Sequence, residues 1–126
     1  MVAAAIVGLL ATLALNSYSN ATTRSRRAAV QSYMQDIANR QEQLLLDSRA
    51  YTASTASPPM PTVPADVSSR YTVTIAANNA ATPPTFTITA TPSTAQAAAD
   101  ARCGTLTLNQ AGTRTKSGTA TVAECW

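Results

Sequence analysis

The feature that most constrains this chain of 126 residues is an apolar stretch at its beginning. Residues 1–15 read MVAAAIVGLLATLAL, and no charged side chain occurs before Arg24. As a helix this stretch would extend for roughly 22 Å, because each residue adds about 1.5 Å. A domain of the size that remains cannot bury so much apolar surface. We therefore expect residues 1–23 to lie against lipid or against other protein chains.

Two interpretations of this stretch compete. A bilayer core requires about 20 apolar residues, so the stretch by itself is slightly too short to span one. A cleaved secretory signal has an apolar region of this size, but a basic segment precedes it. Here the apolar residues start at Met1, and a helical pattern continues beyond them. We expect an anchoring helix and keep the cleaved signal as the alternative.

The next segment has the pattern of an amphipathic helix. Residues 24–53 contain neither Gly nor Pro, and their large apolar side chains recur at spacings of three and four. The sequence therefore predicts one helix of about 50 residues. The alternative is two helices separated near residues 16–20, where helix propensity falls. The predicted apolar stripe contains Val30, Tyr33, Met34, Ile37, Leu44 and Leu45, with Gln41 at a position where a polar residue interrupts it.

A proline-rich segment follows. Residues 54–69 read STASPPMPTVPADVSS, and four prolines in this segment exclude a helix or an interior strand. We predict a loop that is either functional or held against the domain surface, because ordinary connections are shorter. The composition also resembles O-glycosylated stalk sequence, although a solvated loop is the preferred interpretation. The candidate glycan acceptors are Ser54, Thr55, Ser57 and Thr62.

The last part of the chain alternates between apolar residues and threonine. Residues 70–76 (RYTVTIA), 85–91 (TFTITAT) and 105–109 (TLTLN) follow this pattern strictly. A period of two is typical of half-buried antiparallel strands, here with threonine outward. Further short strands at residues 113–116 and 119–124 would complete a sheet of three to five strands.

The apolar face of this sheet needs a cover, and the amphipathic part of the helix is the element available for it. We therefore predict an α+β fold in which one long N-terminal helix packs on an antiparallel sheet. The chain divides into an apolar helical half (1–23), an amphipathic helical half (24–53), a loop (54–69) and a sheet region (70–126). Packing between helix and sheet is predicted for Val30, Met34, Ile37, Leu44, Leu45, Tyr71, Val73, Ile75, Phe86, Ile88, Leu106 and Leu108.

The two cysteines, Cys103 and Cys125, both lie in the sheet region. Without histidine they make a poor metal site, and their spacing does not fit a thioredoxin-like motif, so we prefer a disulfide to free thiols. Such a bond would stabilise the fold by about 3 kcal/mol by closing a loop. It would also place the domain in an oxidising compartment, which means the periplasm or the cell exterior.

The composition excludes most enzymes. The chain has no histidine, two cysteines and six carboxylates, so most acid–base, triad and metal constellations lack their residues. We expect no catalytic residue and no cofactor. The net charge of +3 is too small to indicate a nucleic-acid-binding protein, and a solvated surface is the preferred interpretation of the basic residues. DNA stays a possible partner through Arg24, Arg26 and Arg27 on the helix or Arg102, Arg114 and Lys116 in the sheet region.

The first residues resemble the N-terminal helix of type IV pilins. That family continues its mature chain into a run of the form MV-x-x-A-I-x-G-x-L-A-x-x-A-L-x-x-Y, which residues 1–18 match closely. The second half is similar to the PilE-like subgroup of type IVa pilins at FTITATP (86–92), QAAAD (96–100) and CGTLTLN (103–109), and again at the end of the chain. The resemblance covers nearly the whole chain and implies the type IV pilin fold.

Two departures from the family pattern are visible. The methylated phenylalanine of the family would lie six residues upstream of Met1, and the glutamate that helps to set subunit register would lie two residues upstream. We expect a missing upstream segment, which would lengthen the apolar run to about 21 residues, enough to span a bilayer. Asn16 stands where many pilins have a kinking proline, so the helix is expected to be weakened by Gly8 and Asn16 instead.

The resemblance implies a structural subunit of a bacterial type IV pilus. Such a subunit is anchored in the inner membrane with its domain in the periplasm, and the assembly machinery then adds it to an extracellular helical filament of identical subunits. The resemblance leaves adhesion, twitching motility and DNA uptake open as possible roles of the filament. The alternatives are a minor pilin, a type II secretion pseudopilin, or a monomeric anchored protein whose domain binds a ligand. The expected filament-core residues are Met1, Val2, Ala5, Ile6, Gly8, Leu9, Leu10, Leu13 and Leu15.

Overall fold

The computed structural model describes the backbone of residues 2–126 and the side chains of residues 3–9 and 20–126. A long helix, α1, comes first and a small domain follows it, which is the predicted α+β arrangement. The elements are α1 (Val2–Ser48), α2 (Ala65–Ser68), β1 (Tyr71–Asn78), β2 (Thr85–Pro92), α3 (Thr94–Ala99), β3 (Leu106–Asn109), β4 (Arg114–Lys116) and α4 (Val122–Cys125).

Within residues 2–126, four strands form one antiparallel sheet in the order β1-β2-β3-β4. Ile88 of β2 lies opposite both Ile75 of β1 and Leu108 of β3. Because residues that lie opposite each other share one side of a sheet, these pairs form a continuous apolar face. The other side carries a row of threonines across all four strands, made of Thr74, Thr89, Thr107 and Thr115.

The hydrophobic core lies between α1 and the apolar side of the sheet. Val30, Met34 and Ile37 of α1 are completely buried, because spacings of three and four keep them on one side of the helix. The sheet side chains in the core are Tyr71, Ile75, Phe86, Ile88, Ala90, Leu106 and Leu108. Partly buried side chains packed against this core include Leu44, Leu45 and Val73.

Helix α1 ends at Ser48, so the predicted end at residue 53 is wrong. The next residue, Arg49, has a φ of 59°, and its N–H donates to the carbonyl of Leu45 at 2.9 Å. This left-handed conformation closes a helix and is usually adopted by glycine or asparagine. The sequence carries neither residue at this place, so its stop signal is missing.

Two side-chain amides hold the segment that leaves α1. Gln41, the polar residue in the apolar stripe, is completely buried. Its amide donates to the carbonyl of Thr52 at 2.6 Å and accepts from the N–H of the same residue at 3.0 Å. Asn79 binds Tyr51 in the same way, at 3.0 and 2.9 Å. Each side-chain amide bonds the N–H and the carbonyl of one residue, as a neighbouring strand would do. The backbone polar groups of Tyr51 and Thr52 are therefore satisfied.

The predicted loop at residues 54–69 contains a helical turn that the sequence analysis missed. Residues 65–68 form α2, which follows the last proline, Pro64, directly. Val67 of this turn is completely buried, and Met60 is 1% exposed. These two apolar side chains fix the segment to the domain, because their burial removes apolar surface from water.

The predicted strand at residues 119–124 is also wrong, because Val122–Cys125 form the short helix α4. The hydroxyl of Thr121 accepts from the N–H of Glu124, and the carboxylate of Glu124 accepts from the N–H of Thr121, each at 3.3 Å. This reciprocal pair is a capping box, which satisfies the first N–H groups of a helix. The capping signal T-x-x-E therefore starts a helix here, although the neighbouring residues alternate as in a strand.

Candidate functional site

A disulfide closes the last part of the domain. Cys103 and Cys125 are bonded with their Cα atoms 5.6 Å apart, which confirms the predicted pairing. The side chain of Gln31 donates to the carbonyl of Cys125, so this end of the chain is also fixed to α1. The bond joins the segment before β3 to α4, and we call residues 103–125 the disulfide-closed region.

Close backbone contacts join residues 102–104 to residues 117 and 118. The carbonyl of Cys103 accepts from the N–H groups of Ser117 and Gly118, at 3.2 and 3.0 Å. A Cβ atom at Gly118 would lie 2.1 Å from the carbonyl oxygen of Arg102, so only glycine fits there. Gly104 has a φ of 65°, a conformation that glycine adopts without steric cost. Gly104 and Gly118 thus allow residues 102–104 to pack closely against residues 117 and 118.

A basic patch with an aromatic ring lies along β4. The guanidinium of Arg114 lies 5.3 Å from the centroid of the Trp126 ring, close enough for a cation–π contact. The indole N–H of Trp126 donates to the carbonyl of Thr115 at 3.1 Å, which fixes the ring against the strand. Lys116 donates through Nζ to the carbonyl of Gly118 at 2.8 Å. We call Arg114, Lys116 and Trp126 the β4 patch.

Arg102, the third member of the predicted basic group, has another partner. Its Nη2 lies 3.0 Å from Oε2 of Glu124, and the two side chains are 75% and 53% exposed. An ion pair this exposed contributes little to stability, but it balances the charge of Arg102. The structure therefore leaves Arg114 and Lys116 as the basic pair beside the aromatic ring.

A cavity of about 410 Å³ lies between α1 and the disulfide-closed region. We call it the junction cavity. Its charged lining residues are Arg24, Arg27, Asp100, Arg102 and Glu124. Arg27 and Asp100 form an ion pair there, with Nη1 and Oδ1 2.6 Å apart and side chains only 12% and 9% exposed.

Two buried oxygens near this ion pair have no hydrogen-bond partner among the described residues. One is Oδ2 of Asp100, and the other is Oε1 of Gln96, which lies one helical turn earlier in the chain. The amide nitrogen of Gln96 donates to the hydroxyl of Tyr71 at 3.2 Å. Burial raises the pKa of this hydroxyl, and the Asp100 carboxylate also raises it, against opposing effects of Gln96 and Arg27. The junction cavity therefore borders a buried polar cluster.

The junction cavity could not be predicted from the sequence. Arg27 stands in the amphipathic segment and Asp100 in the QAAAD motif, 73 residues later. No spacing rule connects two residues so far apart, and their types alone do not distinguish them from solvated charges. The sequence does carry one local signal near this site. Ser93 caps the short helix α3, which ends immediately before Asp100.

A second cavity, of about 430 Å³, separates α1 from the proline-rich segment and is lined by Asp36, Arg40 and Met60 among others. The Nε group of Arg40 donates to the carbonyl of Pro59 at 2.7 Å across it. The four candidate glycan acceptors, Ser54, Thr55, Ser57 and Thr62, are all exposed in this segment. Their glycosylation stays a prediction.

The predicted filament-core residues whose side chains are described are solvent-exposed. Ala5 and Gly8 are exposed, and Ile6 and Leu9 are 52% and 67% exposed. The other predicted core positions, Met1, Val2, Leu10, Leu13 and Leu15, lie outside the described side chains, as does Asn16. In the described part of the chain, no helix is long and apolar enough to cross a membrane, and no three His, Cys, Asp or Glu residues could hold a metal ion together.

Comparisons with known proteins agree with this fold. A family model described as "Type IV minor pilin ComP, DNA uptake sequence receptor" matches residues 16–107. The solved structure of a type IV pilin from Shewanella oneidensis aligns with a TM-score of 0.59 and 24% sequence identity, covering 82% of this chain and 97% of that chain. No curated protein matches. The PilE-like subgroup stays a prediction, whereas the type IV pilin fold is established.

Proposed function

Because this chain belongs to the type IV minor pilin family described as ComP, DNA uptake sequence receptor, we propose that it is a minor subunit of a type IV pilus and binds DNA during uptake. This proposal takes up the minor-pilin alternative of the sequence analysis, where a filament of identical subunits was the main expectation. It also gives DNA a role that the composition did not support. Adhesion and twitching motility stay predictions.

The β4 patch is the observation that carries the DNA-binding part of the proposal. Arg114 and Lys116 lie two residues apart on β4, so both supply positive charge at one edge of the sheet. Basic side chains bind DNA by neutralising phosphates and releasing counterions. Trp126 adds an aromatic surface next to them, of the kind on which bases or guanidinium groups stack. The threonine side of the sheet has no such charge, and we place DNA at the edge.

The subunit would enter the filament through α1. The exposed side chains of residues 3–9 are all apolar or small, so they need lipid before assembly and other helices after it. Ala5 and Gly8 lack bulk and would permit a close approach of neighbouring helices, with Ile6 and Leu9 packing beside them. The subunit would thus wait in the inner membrane with its domain in the periplasm, and leave it for the extracellular filament through the assembly machinery.

The DNA-binding part is tested with the full chain in detergent micelles and double-stranded DNA, by fluorescence anisotropy at several salt concentrations. We expect the double variant Arg114→Gln, Lys116→Gln to bind more weakly. The slope of log K against log salt is negative, and each lost phosphate contact makes it less steep by about 0.9, so the slope should become less negative by about 2. The control is the double variant Arg24→Gln, Arg26→Gln, which removes the same charge from α1 and should keep the slope. Equal slopes in both variants would exclude the β4 patch.

The filament part has a separate test. Filaments sheared from the producing cells should contain this chain at a low ratio to another, more abundant pilin, as cryo-electron microscopy and mass spectrometry would detect. An Ile6→Asp variant should be missing from the filaments, because a carboxylate cannot be buried between apolar helices without a partner. Filaments made of this chain alone would show a major pilin instead.

A further inference from the structure

We propose that Trp126 is a positioning residue of the β4 patch, and that its ring holds the guanidinium of Arg114 in place for a phosphate of bound DNA. An aromatic ring beside basic residues can have either of two roles in such binding. It can stack on a base, or it can support a cation that makes the contact itself. The contacts of Trp126 and Arg114 favour the second role. This inference rests on the proposed DNA binding and assigns one more residue to it.

The register of the sheet places the two cations of the β4 patch on the side that is otherwise apolar. Arg114 lies opposite Leu108. Lys116 lies opposite Leu106, and both leucines are buried in the core. Residues that lie opposite each other share one side of a sheet, and β4 stands at the end of the strand order. The two cations therefore lie at the rim of the core, where an aromatic face is a favourable neighbour for a charge on an apolar stem.

Trp126, which directly follows α4, supplies this aromatic face. Its partly buried ring packs against the hydrophobic core, and the guanidinium of Arg114 lies over it. Its indole N–H donates to the carbonyl of Thr115, and its backbone N–H donates to the carbonyl of Val122 at 2.9 Å. The preceding residue, Cys125, belongs to the disulfide. Because a base stacks on an open ring face, a ring that is fixed in this way and covered by a guanidinium is better suited to support Arg114.

The guanidinium of Arg114 keeps its hydrogen-bond donors for DNA. In the described part of the chain, its side chain has neither a hydrogen bond nor an ion pair. A guanidinium has five N–H donors, and a cation–π contact consumes none of them. Lys116, in contrast, already uses one of its three donors on the carbonyl of Gly118. A long side chain that is held in place loses less conformational freedom when it binds, so the ring raises the affinity without touching DNA.

The contact between the ring and the guanidinium can be tested without DNA. Trp126 is the single tryptophan of the chain, so its fluorescence reports on its own surroundings. The measurement is quenching by acrylamide, which is uncharged, with the full chain in detergent. Arg114→Ala should raise the quenching constant, because the ring loses the side chain that lies over it. Lys116→Ala removes the same charge from the same strand and should leave the constant near the parent value. Equal constants in the two variants would overturn the proposal.

The consequence for DNA is measured by fluorescence anisotropy with labelled double-stranded DNA at several salt concentrations. Trp126→Ala should weaken binding about threefold to tenfold, because Arg114 must then be ordered on binding. Both cations remain in this variant, so the slope of log K against log salt should keep its parent value. Arg114→Gln should instead make the slope less negative by about 0.9. An unchanged affinity of Trp126→Ala, or a slope as shallow as that of Arg114→Gln, would contradict a positioning role.

A double-mutant cycle separates the support of Arg114 from base stacking. If the ring acts through Arg114, Trp126→Ala should cost little affinity when it is combined with Arg114→Gln. A ring that stacks on bases would cost the same with and without Arg114→Gln, and this result would overturn the proposal.

A conservative variant tests the same role by rescue. Trp126→Phe keeps an aromatic face for the cation and should recover most of the affinity that Trp126→Ala loses. Binding as weak as that of Trp126→Ala would mean that the ring face is not what supports Arg114. Where thermal unfolding shows that Trp126→Ala is not folded, Trp126→Leu takes its place in the cycle, because leucine fills more of the space and has no aromatic face.

The DNA-binding proposal and the role of Trp126 fail with different results. If the parent chain does not bind DNA, both fail together. If the parent chain binds DNA and the double variant Arg114→Gln, Lys116→Gln binds more weakly, the β4 patch stands. Equal binding by Trp126→Ala and the parent chain would then refute the positioning role alone.

Discussion

Two parts of one helix carry similar apolar residues in opposite surroundings. Near the start of α1, Ile6, Val7 and Leu9 are between 52% and 67% exposed. Farther along, Met34 and Ile37 are completely buried against the sheet. An apolar side chain therefore does not determine its own burial, because burial requires a partner surface. An apolar helical face without such a surface in its own chain marks a place for assembly.

The difference follows from how the apolar residues are arranged. In the packed part of α1 they occupy one stripe, so one sheet can cover them. At the start of the helix they occupy every side, and a single sheet cannot cover a helix all round. The first part is therefore suited to a surrounding of lipid or of several helices, which agrees with the role proposed for it in the filament.

The largest expected effect comes from shortening one isoleucine in each part. Ile37→Ala should lower the free energy of unfolding by about 2–5 kcal/mol, because it leaves a cavity in the core. Ile6→Ala is the matched control on the same helix and should change it by less than about 0.5 kcal/mol. Denaturant unfolding in detergent, followed by near-ultraviolet circular dichroism, measures both. Equal losses would mean that residues 3–9 also contribute to the stability of the domain.

A smaller effect is expected from the amide that interrupts the packed stripe. Gln41→Ala should lower the free energy of unfolding by about 2 kcal/mol, because the N–H and carbonyl of Thr52 both lose their partner. Gln43→Ala removes the same type of side chain from the exposed side of α1, where it accepts from Arg40. We expect less than about 0.5 kcal/mol there. Similar losses in the two variants would show that the amide contacts of Gln41 do not matter for stability.

The smallest expected effect is a pH dependence of stability that comes from buried tyrosine hydroxyls. Burial raises the pKa of the hydroxyls of Tyr33, Tyr51 and Tyr71 above the ordinary value of 10.0, and Glu42 adds to this at Tyr51. Above pH 10 the folded chain therefore binds more protons than the unfolded chain, so the free energy of unfolding falls as the pH rises further. Denaturant unfolding at pH 8 and pH 11 tests this sign.

A variant gives the control for this measurement. Tyr33→Phe should lose less stability between pH 8 and pH 11 than the parent chain, when each is compared with its own value at pH 8. A stability that stays constant up to pH 11 would mean that these hydroxyls titrate as they do in water.

Much of the fold was predictable because its signals are local. The stripe with Val30 and Ile37 has the helical period, and the threonine alternation around Ile75 and Ile88 has the strand period. The errors have local causes too. Arg49 closes α1 in a conformation that its residue type does not announce, and α4 begins at a capping box that a strand pattern concealed.

The candidate sites also differ in how far the sequence predicted them. The pairing of Cys103 with Cys125 was predictable, because the chain has no other cysteine and no histidine. The β4 patch was only half predictable, since the sequence grouped Arg102 with Arg114 and Lys116. The structure instead pairs Arg102 with Glu124 and places the Trp126 ring beside Arg114. Which charges remain available depends on the partners that folding brings, and these partners lie far away in the sequence.

Residue types and their order were enough to predict the α+β fold, the apolar first part of the helix, the side of the sheet that is buried and the disulfide. The fold and the buried faces follow from the periodicity of residues that are close in the chain. The disulfide follows from composition, because each cysteine has one suitable partner. The positions of the buried Arg27–Asp100 pair and of the junction cavity, in contrast, follow from tertiary packing. Their cause is the docking of α1 against the disulfide-closed region, which brings together residues that no local interaction connects.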